Sequence, residues 1–286
     1  MYHPKITIIT AVYNRVDKIE QCISRVVNQT YDNLEYFVVD GASTDGTVDV
    51  IKKYNNQIAY WCSEPDKGIY DAWNKALKHV TGDYVLFMGS DDALYDYQTI
   101  SKAVKELDYD VDILSGCFYT VLEKEIMDIY STNEYMLEKK KFPGYGIPTQ
   151  GLFIRYSLFH ENEFDISYKI AADFKFAVKQ YYDSNVRFKY ITQPIQFFEN
   201  SGISSTQATE CRKEYERIYK ELGLSQFVNT QKRNLMKHKV MNFAKHICKL
   251  LGIFDYIKKY YHLKIKCDWK KHHCNNKICR WCGRYE

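Results

Sequence analysis

The stretch GDYVLFMGSDD, residues 82–92, contains an apolar run that is bounded by Gly82 and Gly89 and followed by two adjacent carboxylates. Such a run is typical of a central strand in a parallel sheet. Open α/β sheets bind ligands at the carboxyl ends of their strands, so Asp91 and Asp92 stand where chemistry is expected. A hard divalent cation that carries phosphates would offset the repulsion between them. The alternative is that one of them caps the next helix.

Three strand–helix units precede this strand, and each strand leads into polar, loop-forming residues. The predicted strands are Lys5–Val12, Leu34–Val39 and Ile58–Ser63, and helices are predicted at about 17–28 and 69–80. Strands that alternate with helices indicate right-handed crossovers and a mainly parallel sheet flanked by helices. All four loops then emerge at one edge of the sheet, where they can converge on a single ligand.

Four motifs carry a resemblance to a known family. In chain order they are TAVYNR at 10–15, VVDGASTDGT at 38–47, SEPDKGIYDAWNKAL at 63–77 and SDD at 90–92. Together they resemble glycosyltransferase family 2, which has the GT-A fold. The second and third motifs are similar to the subgroup that builds bacterial cell-surface polysaccharides, including colanic-acid-type transferases. The resemblance is strongest over residues 5–95, continues to about residue 205, and implies an α/β, Rossmann-like GT-A fold.

The resemblance also implies an activity and a set of site residues. The activity is inverting, metal-dependent transfer of a hexosyl or N-acetylhexosaminyl group from a nucleotide-sugar, expected to be a UDP-sugar, to a glycan or lipid-linked hydroxyl. Asp92 would hold the divalent cation, Mn²⁺ or Mg²⁺, because these ions take oxygen ligands. Gln150 falls at an acceptor-side position, and Ser204 in a loop that closes over the diphosphate. The residues expected to contact the nucleotide are Thr10, Ala11, Tyr13, Asp40, Asp66, Gly68 and Asp91.

The carboxylates of the second motif have a competing structural explanation. Asp40 ends the second predicted strand, where its carboxylate could accept a hydrogen bond from a uracil ring N–H. It could equally bind backbone N–H groups of the following turn. Asp45 and Thr47 fit that structural role better, because Asp45-Gly46 is a turn signal before the next helix. Gly68 permits close backbone approach to ribose and diphosphate, and Asn74 is expected to brace these loops.

The resemblance implies that Asp173 is the general base. The segment FDISYKIAADF at 164–174 is similar to the family's FDxxYkxxxD motif, whose final aspartate takes the acceptor proton. The alternative is that Asp173 caps the helix predicted from there to about Tyr182. Many family members have Glu before this aspartate, whereas this chain has Ala172. One base without a second nucleophilic carboxylate favours direct displacement with inversion.

Length and composition predict a catalytic domain with an appendage. The GT-A domain is expected at 1–205, with a nucleotide-sugar half at 1–95 and an acceptor half at 96–205, followed by a helical, basic extension at 206–286. No stretch reaches the roughly 18 apolar residues that span a bilayer, and the N-terminus begins with the first strand rather than a signal peptide. Nine scattered cysteines are not a secreted disulfide framework. A cytoplasmic location is expected.

The end of the chain is strongly basic. Residues 231–286 hold 15 Lys and Arg against 3 Asp and Glu, a balance of +12, so residues 1–230 carry −8. Apolar residues recur at helical spacing from Val240 to Tyr261, which is typical of a peripheral segment attracted to an anionic membrane surface. The alternative is a helix that packs on the catalytic domain with its lysines exposed. A CxxC at 279–282 lacks the paired spacing of a zinc site, so free thiols are expected.

Other classes of function explain less of the sequence. A nicotinamide-dependent oxidoreductase would share the strand–helix start, but residues 10–15 contain no GxGxxG. A nucleic-acid-binding protein would account for the basic tail, but the acidic loops of residues 40–92 would repel phosphate, so no nucleic acid is expected. A non-catalytic nucleotide-sugar-binding module would keep the fold without turnover. Uridine-diphosphate binding with and without Mn²⁺ tests metal-dependent donor use.

Overall fold

The computed structural model describes residues 2–122, 125–130, 149–160, 162–199 and 202–228. Within these ranges the chain is an α/β protein with one mixed sheet. Its strands are β1 Ile6–Val12, β2 Leu34–Asp40, β3 Tyr60–Ser63, β4 Tyr84–Gly89, β5 Ala93–Leu94, β6 Ile113–Leu122, β7 Glu125–Tyr130, β8 Leu152–Arg155 and β9 Phe188–Glu199. Its helices are α1 Ile19–Val27, α2 Thr47–Lys53, α3 Ile69–Leu77, α4 Thr99–Val104, α5 Ala172–Tyr182, α6 Ile203–Thr206 and α7 Ala208–Glu221, with a 3-10 turn at Tyr156–Phe159.

The sheet has the strand order β3-β2-β1-β4-β8-β6-β9-β5, and β7 also pairs with β6. Strands β1 to β4 are all parallel, as the sequence predicts. Beyond β4 the sheet is mixed, because β8 runs antiparallel to both β4 and β6, whereas β9 is parallel to β6. The mainly parallel arrangement therefore holds for the first half of the sheet, where four loops leave β1 to β4 at the same edge.

Helices bury both faces of β1 and β2, which explains their nearly continuous apolar sequences. The aliphatic face packs against α1, α2 and α4 through residues such as Ile8, Ile23 and Ile51. The chain reverses its direction across the sheet between β3 and β4, so the right-handed crossover puts α3 on the opposite face. Aromatic rings fill that second face: Trp73 of α3 lies 4.7 Å from Phe87 of β4, measured between ring centroids.

The two halves of the sheet meet at a short junction between β4 and β8. Only Tyr84 and Val85 of β4 pair with β8, so the rest of β4 diverges from it toward the loop edge. Arg155 of β8 secures the junction. Its guanidinium lies 4.9 Å from the centre of the Tyr84 ring, 3.0 Å from an Asp112 carboxylate oxygen and 2.6 Å from the Val111 carbonyl oxygen.

Two compact units can be distinguished among the described residues. The first continues to Tyr215, and the second begins at Glu216. No helix in the described ranges is both long and apolar enough to cross a membrane. The predicted amphipathic helix and the cysteine-containing end of the chain lie outside the described residues, so membrane attachment and the state of those thiols stay predictions.

We expect Arg155→Lys to lower the free energy of unfolding by about 1–3 kcal/mol, measured by urea denaturation. The ammonium group of lysine cannot replace the planar guanidinium of Arg155, which binds the Asp112 carboxylate and several backbone carbonyls at once. Arg187→Lys is the matched control, because the Arg187 guanidinium forms an exposed ion pair with Asp110. That change should stay within about 0.5 kcal/mol. Equal losses in the two variants would contradict the role of Arg155 at the junction.

Candidate active site

The loops after β1 and β2 are joined by side-chain hydrogen bonds. The Asn14 N–H donates to Ser43 Oγ at 2.7 Å. The Asp45 carboxylate accepts from the Val16 N–H at 3.0 Å and from the Thr47 hydroxyl at 2.6 Å. Asp45 and Thr47 therefore have the structural role that their turn sequence predicts. These contacts fix the conformation of the loops that follow β1 and β2, and none of them involves the Asp40 carboxylate.

Asp40 is fully buried at the end of β2, and its two oxygens differ. Oδ2 accepts from the Ser43 N–H at 2.9 Å and from the Ser63 hydroxyl at 2.6 Å. Oδ1 has no hydrogen-bond partner among the described residues. A buried carboxylate oxygen without a donor costs free energy, which a ligand N–H would recover. One oxygen thus has the structural role, and the other lacks a donor in the described part of the chain; nucleotide contact by Asp40 stays a prediction.

Tyr13, Asp66 and the turn after Asp40 lie side by side. A Cβ placed on Gly41 would be 2.6 Å from Asp66 Oδ2 and 3.4 Å from Tyr13 Cδ2, so this close approach requires glycine. The Tyr13 ring is 61% exposed and can present a face to a base. Asp66 Oδ1 accepts from the Gly68 N–H at 2.8 Å, and Gly68 has a φ of 117°, where glycine is favoured. The structure thus brings these predicted nucleotide-binding residues together.

Thr10 and Ala11 lie inside β1 rather than in the loop beyond it. Both residues pair with β2 on one side and β4 on the other. The Thr10 hydroxyl is fully buried and accepts from the Tyr36 hydroxyl at 3.0 Å. The Thr10 side chain therefore faces the protein interior, and nucleotide contact by these two residues stays a prediction.

Asp91 and Asp92 follow β4 in contrasting environments. Asp91 forms an ion pair with Arg15, whose Nε lies 3.2 Å from Oδ1. Asp92 is 5% exposed and accepts from the N–H groups of Gly89 at 2.9 Å and Glu199 at 3.3 Å. Burial raises the pKa of Asp92 to about 7; the two N–H donors oppose this rise, and the charges of Asp91 and Glu199 add to it.

Asp91 and Asp92 suit a cation that takes most of its ligands from phosphate and water rather than from the protein. Within the described ranges, no three His, Cys, Asp or Glu side chains are grouped to hold a metal ion. The pair could supply one or two carboxylate oxygens, each of which retains a lone pair beside its hydrogen bond. Mg²⁺ and similar ions bind in this way, completing their coordination with phosphate oxygens and water. The residues present therefore fit the predicted cation.

Asp173 lies in the first turn of α5, surrounded by hydroxyl groups. Oδ1 accepts from the Tyr70 hydroxyl at 2.8 Å and from the Phe174 N–H at 2.8 Å, whereas Oδ2 accepts from the Thr149 hydroxyl at 2.6 Å. Loss of hydration raises the pKa of Asp173, although these donors oppose the rise. The N-cap of α5 is Ala171, which makes no side-chain cap bond. Asp173 is therefore not the N-cap residue, although its Oδ1 binds a free N–H group of the first turn, so a role at the helix start coexists with the predicted base.

The segment before Asp173 is held from two sides. Asn74 of α3 is buried and makes two bonds to the Phe164 backbone: its Nδ2 donates to the carbonyl at 2.8 Å, and its Oδ1 accepts from the N–H at 2.9 Å. Glu214 of α7 accepts from the N–H groups of Lys169 at 2.8 Å and Ile170 at 2.9 Å. Asn74 thus has the bracing role predicted for it, and the segment it braces leads to the candidate base.

Residues 7–166 match the family model described as Glycosyl transferase family 2. The chain belongs to glycosyltransferase family 2. GlyA, a glycosyltransferase of Streptococcus pneumoniae, is 30% identical over 183 residues, which cover 57% of this chain but only 26% of GlyA. An uncharacterised glycosyltransferase of Mycobacterium tuberculosis is 34% identical over 105 residues, covering 36% of this chain and 40% of that protein. The match therefore spans about a quarter of the length of GlyA and about two fifths of the length of the Mycobacterium tuberculosis relative.

Solved structures agree with this family 2 assignment at the level of the fold. Residues 1–349 of Staphylococcus aureus TarS, in complex with UDP, give a TM-score of 0.59 at 20% identity, covering 79% of this chain and 70% of that one. PcManGT, a mannosyltransferase of Pyrobaculum calidifontis in complex with GDP-Man and Mn²⁺, gives 0.60 at 20% identity, covering 78% and 65%. The predicted GT-A fold is confirmed.

The family 2 motifs contain two site residues that sequence analysis did not assign, Arg15 and Tyr70. Arg15 lies in the first motif and Tyr70 in the third, yet their partners come from distant segments. Thr149, next to the predicted acceptor residue Gln150, was also missed. Gln150 lies in the turn before β8 and Ser204 lies in α6; in the described part of the chain, neither is hydrogen-bonded to Asp173 or to the acidic loops. Their roles stay predictions.

The family 2 FDxxY segment is stabilised by an ion pair that should depend on pH. Asp165 Oδ2 lies 2.8 Å from Lys175 Nζ, and Oδ1 accepts from the Ser167 N–H at 3.0 Å. Partial burial alone would raise the pKa of Asp165, but these donors lower it from its ordinary value of 3.8 to about 2. The folded state therefore favours ionised Asp165 relative to the unfolded state, and this contribution to stability is present above about pH 4.

Asp165→Asn should lower the melting temperature at pH 7, because it removes the ion pair with Lys175. The difference from the unmodified protein should persist at pH 5 and narrow as the pH falls from about 4 toward 2, where both forms are neutral. Melting scans across this range measure it. Asp110→Asn, at an exposed ion pair, is the control and should change little. A difference that is the same at pH 7 and pH 3 would contradict the ionic contribution.

Proposed function

We propose that this chain transfers a sugar from a nucleoside diphosphate sugar to the hydroxyl of a glycan or lipid-linked acceptor, with inversion at the sugar carbon and with a divalent cation. The observation that carries the proposal is the buried Asp40 Oδ1, which has no donor among the described residues, and the next residue, Gly41, lies beside Tyr13 and Asp66. That arrangement offers one acceptor and one exposed ring to a nucleobase. Asp173 supplies a carboxylate for the acceptor side.

The donor nucleotide is proposed to be uridine diphosphate. The ring N–H of uracil would donate to Asp40 Oδ1 while Tyr13 packs against the base. Guanine also carries a ring N–H, so Asp40 by itself does not choose between the two bases. UDP is supported by the sequences of the second and third motifs and by TarS, whose structures contain UDP and UDP-GlcNAc. PcManGT, in contrast, contains GDP-Man. Asp66, Gly68 and Asp91 are assigned to the ribose and diphosphate.

Asp92 is the residue proposed to hold the cation, and Asp91 lies next to it. The Mn²⁺ in PcManGT supports a divalent ion of this kind. When bound, such a cation supplies positive charge that stabilises a departing nucleoside diphosphate. The chain's own contribution is to fix Asp92 through the Gly89 and Glu199 N–H groups and to hold Asp91 in an ion pair with Arg15.

Asp173 is proposed to accept the proton of the acceptor hydroxyl. The acceptor oxygen then forms a bond to the anomeric carbon from the face opposite the phosphate, and the nucleoside diphosphate leaves with the bonding electron pair. This single displacement inverts the configuration. A carboxylate whose pKa is raised from its ordinary value is a better base near neutral pH. A cytoplasmic enzyme of cell-surface polysaccharide synthesis, attached to the membrane through residues 231–286, is the setting supported by the motif wording and the basic tail.

Binding of UDP to Asp40→Asn, measured by calorimetry, tests the donor site. The asparagine oxygen can still accept from Ser43 and Ser63, but its NH₂ group would face the N–H of the base. We expect affinity to fall about 10- to 100-fold with little change in melting temperature. Asp49→Asn, at an exposed position of α2, is the control and should bind UDP normally. Affinity should also fall when Mn²⁺ is removed by a chelator, and UDP should bind more tightly than GDP.

Two outcomes would contradict the donor site. One is that the unmodified protein fails to bind UDP with or without Mn²⁺. The other is that Asp40→Asn binds UDP as tightly as the unmodified protein does. Tighter binding of GDP would retain a nucleotide-sugar site but overturn the assignment of uridine.

Asp173→Asn should reduce turnover about 10²- to 10⁴-fold, because the amide keeps the shape of the side chain but cannot take a proton. A screen of nucleotide-sugars that measures released nucleoside diphosphate identifies the donor and supplies the assay. UDP affinity should stay unchanged, since Asp173 is assigned to the acceptor side. Near-normal turnover per folded molecule would remove Asp173 from the mechanism.

A further inference from the structure

The two oxygens of Asp173 are not equivalent. A carboxylate oxygen has two lone pairs in the plane of the group. Oδ1 accepts two hydrogen bonds, from the Tyr70 hydroxyl and the Phe174 N–H, so both of its positions are occupied. Among the described residues Oδ2 accepts one, from the Thr149 hydroxyl at 2.6 Å, which leaves it a lone pair. Only Oδ2 can therefore accept a further proton without displacing a donor.

We propose that Asp173 Oδ2 is the atom that takes the acceptor proton, and that Tyr70 and Thr149 are positioning residues that orient this carboxylate and keep it ionised. This inference rests on the proposed function. Each hydroxyl donates to the charged form of Asp173, and a hydrogen bond to an ionised acceptor is stronger than one to a neutral acceptor. Loss of either hydroxyl should therefore make Asp173 harder to ionise.

Tyr70 has a second acceptor for its single hydrogen. Its oxygen lies 2.6 Å from the Ile170 carbonyl oxygen and 2.8 Å from Asp173 Oδ1. While Asp173 is ionised, the negative charge draws the hydrogen to Oδ1. Once Asp173 carries the proton, the hydrogen can turn to the carbonyl of Ile170, so neither acceptor pattern leaves the buried hydroxyl unsatisfied. Tyr70 can thus serve both protonation states without moving its ring.

The other titratable groups that the structure describes near Asp173 do not take over this role. On α7, Glu214 uses its oxygens for the backbone N–H groups of residues 169–171. Burial raises the pKa of Cys211, the Tyr215 hydroxyl opposes that rise, and the charge of Asp173 adds to it, so this thiol stays neutral. Burial and the charge of Asp173 raise the pKa of Tyr70 well above its ordinary value, with Tyr215 adding to the effect. Tyr70 is accordingly a proton donor in the hydrogen bond and not a competing base.

The test is a pH titration of the Asp173 carboxyl group by ¹³C NMR in the full-length protein without substrate. The Asp173 signal is identified by its absence from the spectrum of Asp173→Asn. Tyr70→Phe keeps the ring that packs near Trp73, and Thr149→Val keeps the side-chain shape. Each should raise the pKa of Asp173 by about one pH unit. The acidic limb of the pH–rate profile should move up equally, while KM for the donor stays constant.

Two matched variants separate this role from ordinary stabilisation. Thr149→Ser retains the hydroxyl and should leave the pKa of Asp173 unchanged. Tyr31→Phe removes another buried tyrosine hydroxyl, which donates to the Pro4 carbonyl at 2.7 Å, and should lower stability without affecting Asp173. If Tyr70→Phe does not fold, Thr149→Val carries the test independently.

The failures of the two proposals are distinguishable. An unchanged Asp173 pKa in folded Tyr70→Phe and Thr149→Val, with Asp173→Asn inactive, overturns the positioning role and leaves the base assignment intact. Normal turnover in Asp173→Asn overturns the base assignment and, with it, the role of Oδ2. A raised pKa in Tyr31→Phe as well would also overturn the inference, because the effect would then reflect general loosening of the fold.

Discussion

Loss of hydration of carboxylates at one edge of the sheet is the constraint on which the site depends. Asp40 ends β2, and Asp66, Asp91 and Asp92 follow β3 and β4, so all four lie at the edge where these parallel strands end. A carboxylate that loses water on burial needs hydrogen-bond donors or cations in its place. The protein uses backbone N–H groups, serine hydroxyls and the single guanidinium of Arg15 for this purpose. Two positions remain without full compensation for this lost hydration, Asp40 Oδ1 and Asp92. They are the positions proposed to bind the nucleobase and the divalent cation.

Helix α3 connects this acidic edge to Asp173. The helix begins directly after Gly68, which closes the loop containing Asp66, and it carries both Tyr70 and Asn74. Residues four apart lie on the same face of a helix, and this face meets the segment leading to α5. Tyr70 donates to Asp173, the candidate general base, whereas Asn74 binds the backbone of Phe164, which precedes Asp173 in the chain. The loop that contains Asp66 and the candidate general base thus contact the same helix.

The parallel half of the sheet was predictable because its signals are local. Each strand from β1 to β4 is a short apolar run followed by a polar loop, and the parallel orientation follows from the alternation with helices. The antiparallel strand β8 was not predictable in this way, since a four-residue apolar strand does not specify its partner. The contact between Tyr70 and Asp173 joins positions 103 residues apart, and no local pattern encodes that distance.

Single side chains with two functions set a further limit on sequence analysis. Residue type and spacing identified Asp40 correctly as a strand-end carboxylate with two competing roles. Only the structure separates its oxygens, one bound by Ser43 and Ser63 and the other without a described donor. In the same way, Arg15 is visible in the first motif, but its ion pair with Asp91 depends on how two loops approach each other across the sheet.

The divergence of β4 from β8 has a consequence for aggregation. Beyond Val85, β4 has no further pairing with β8, and unpaired strand edges are templates for pairing with other chains. The Gly89 N–H at the end of β4 donates to the carboxylate of Asp92. A strand N–H that already donates to a side chain is not free to pair with another strand. The Asp92 carboxylate thus occupies one backbone donor at the end of this interrupted strand.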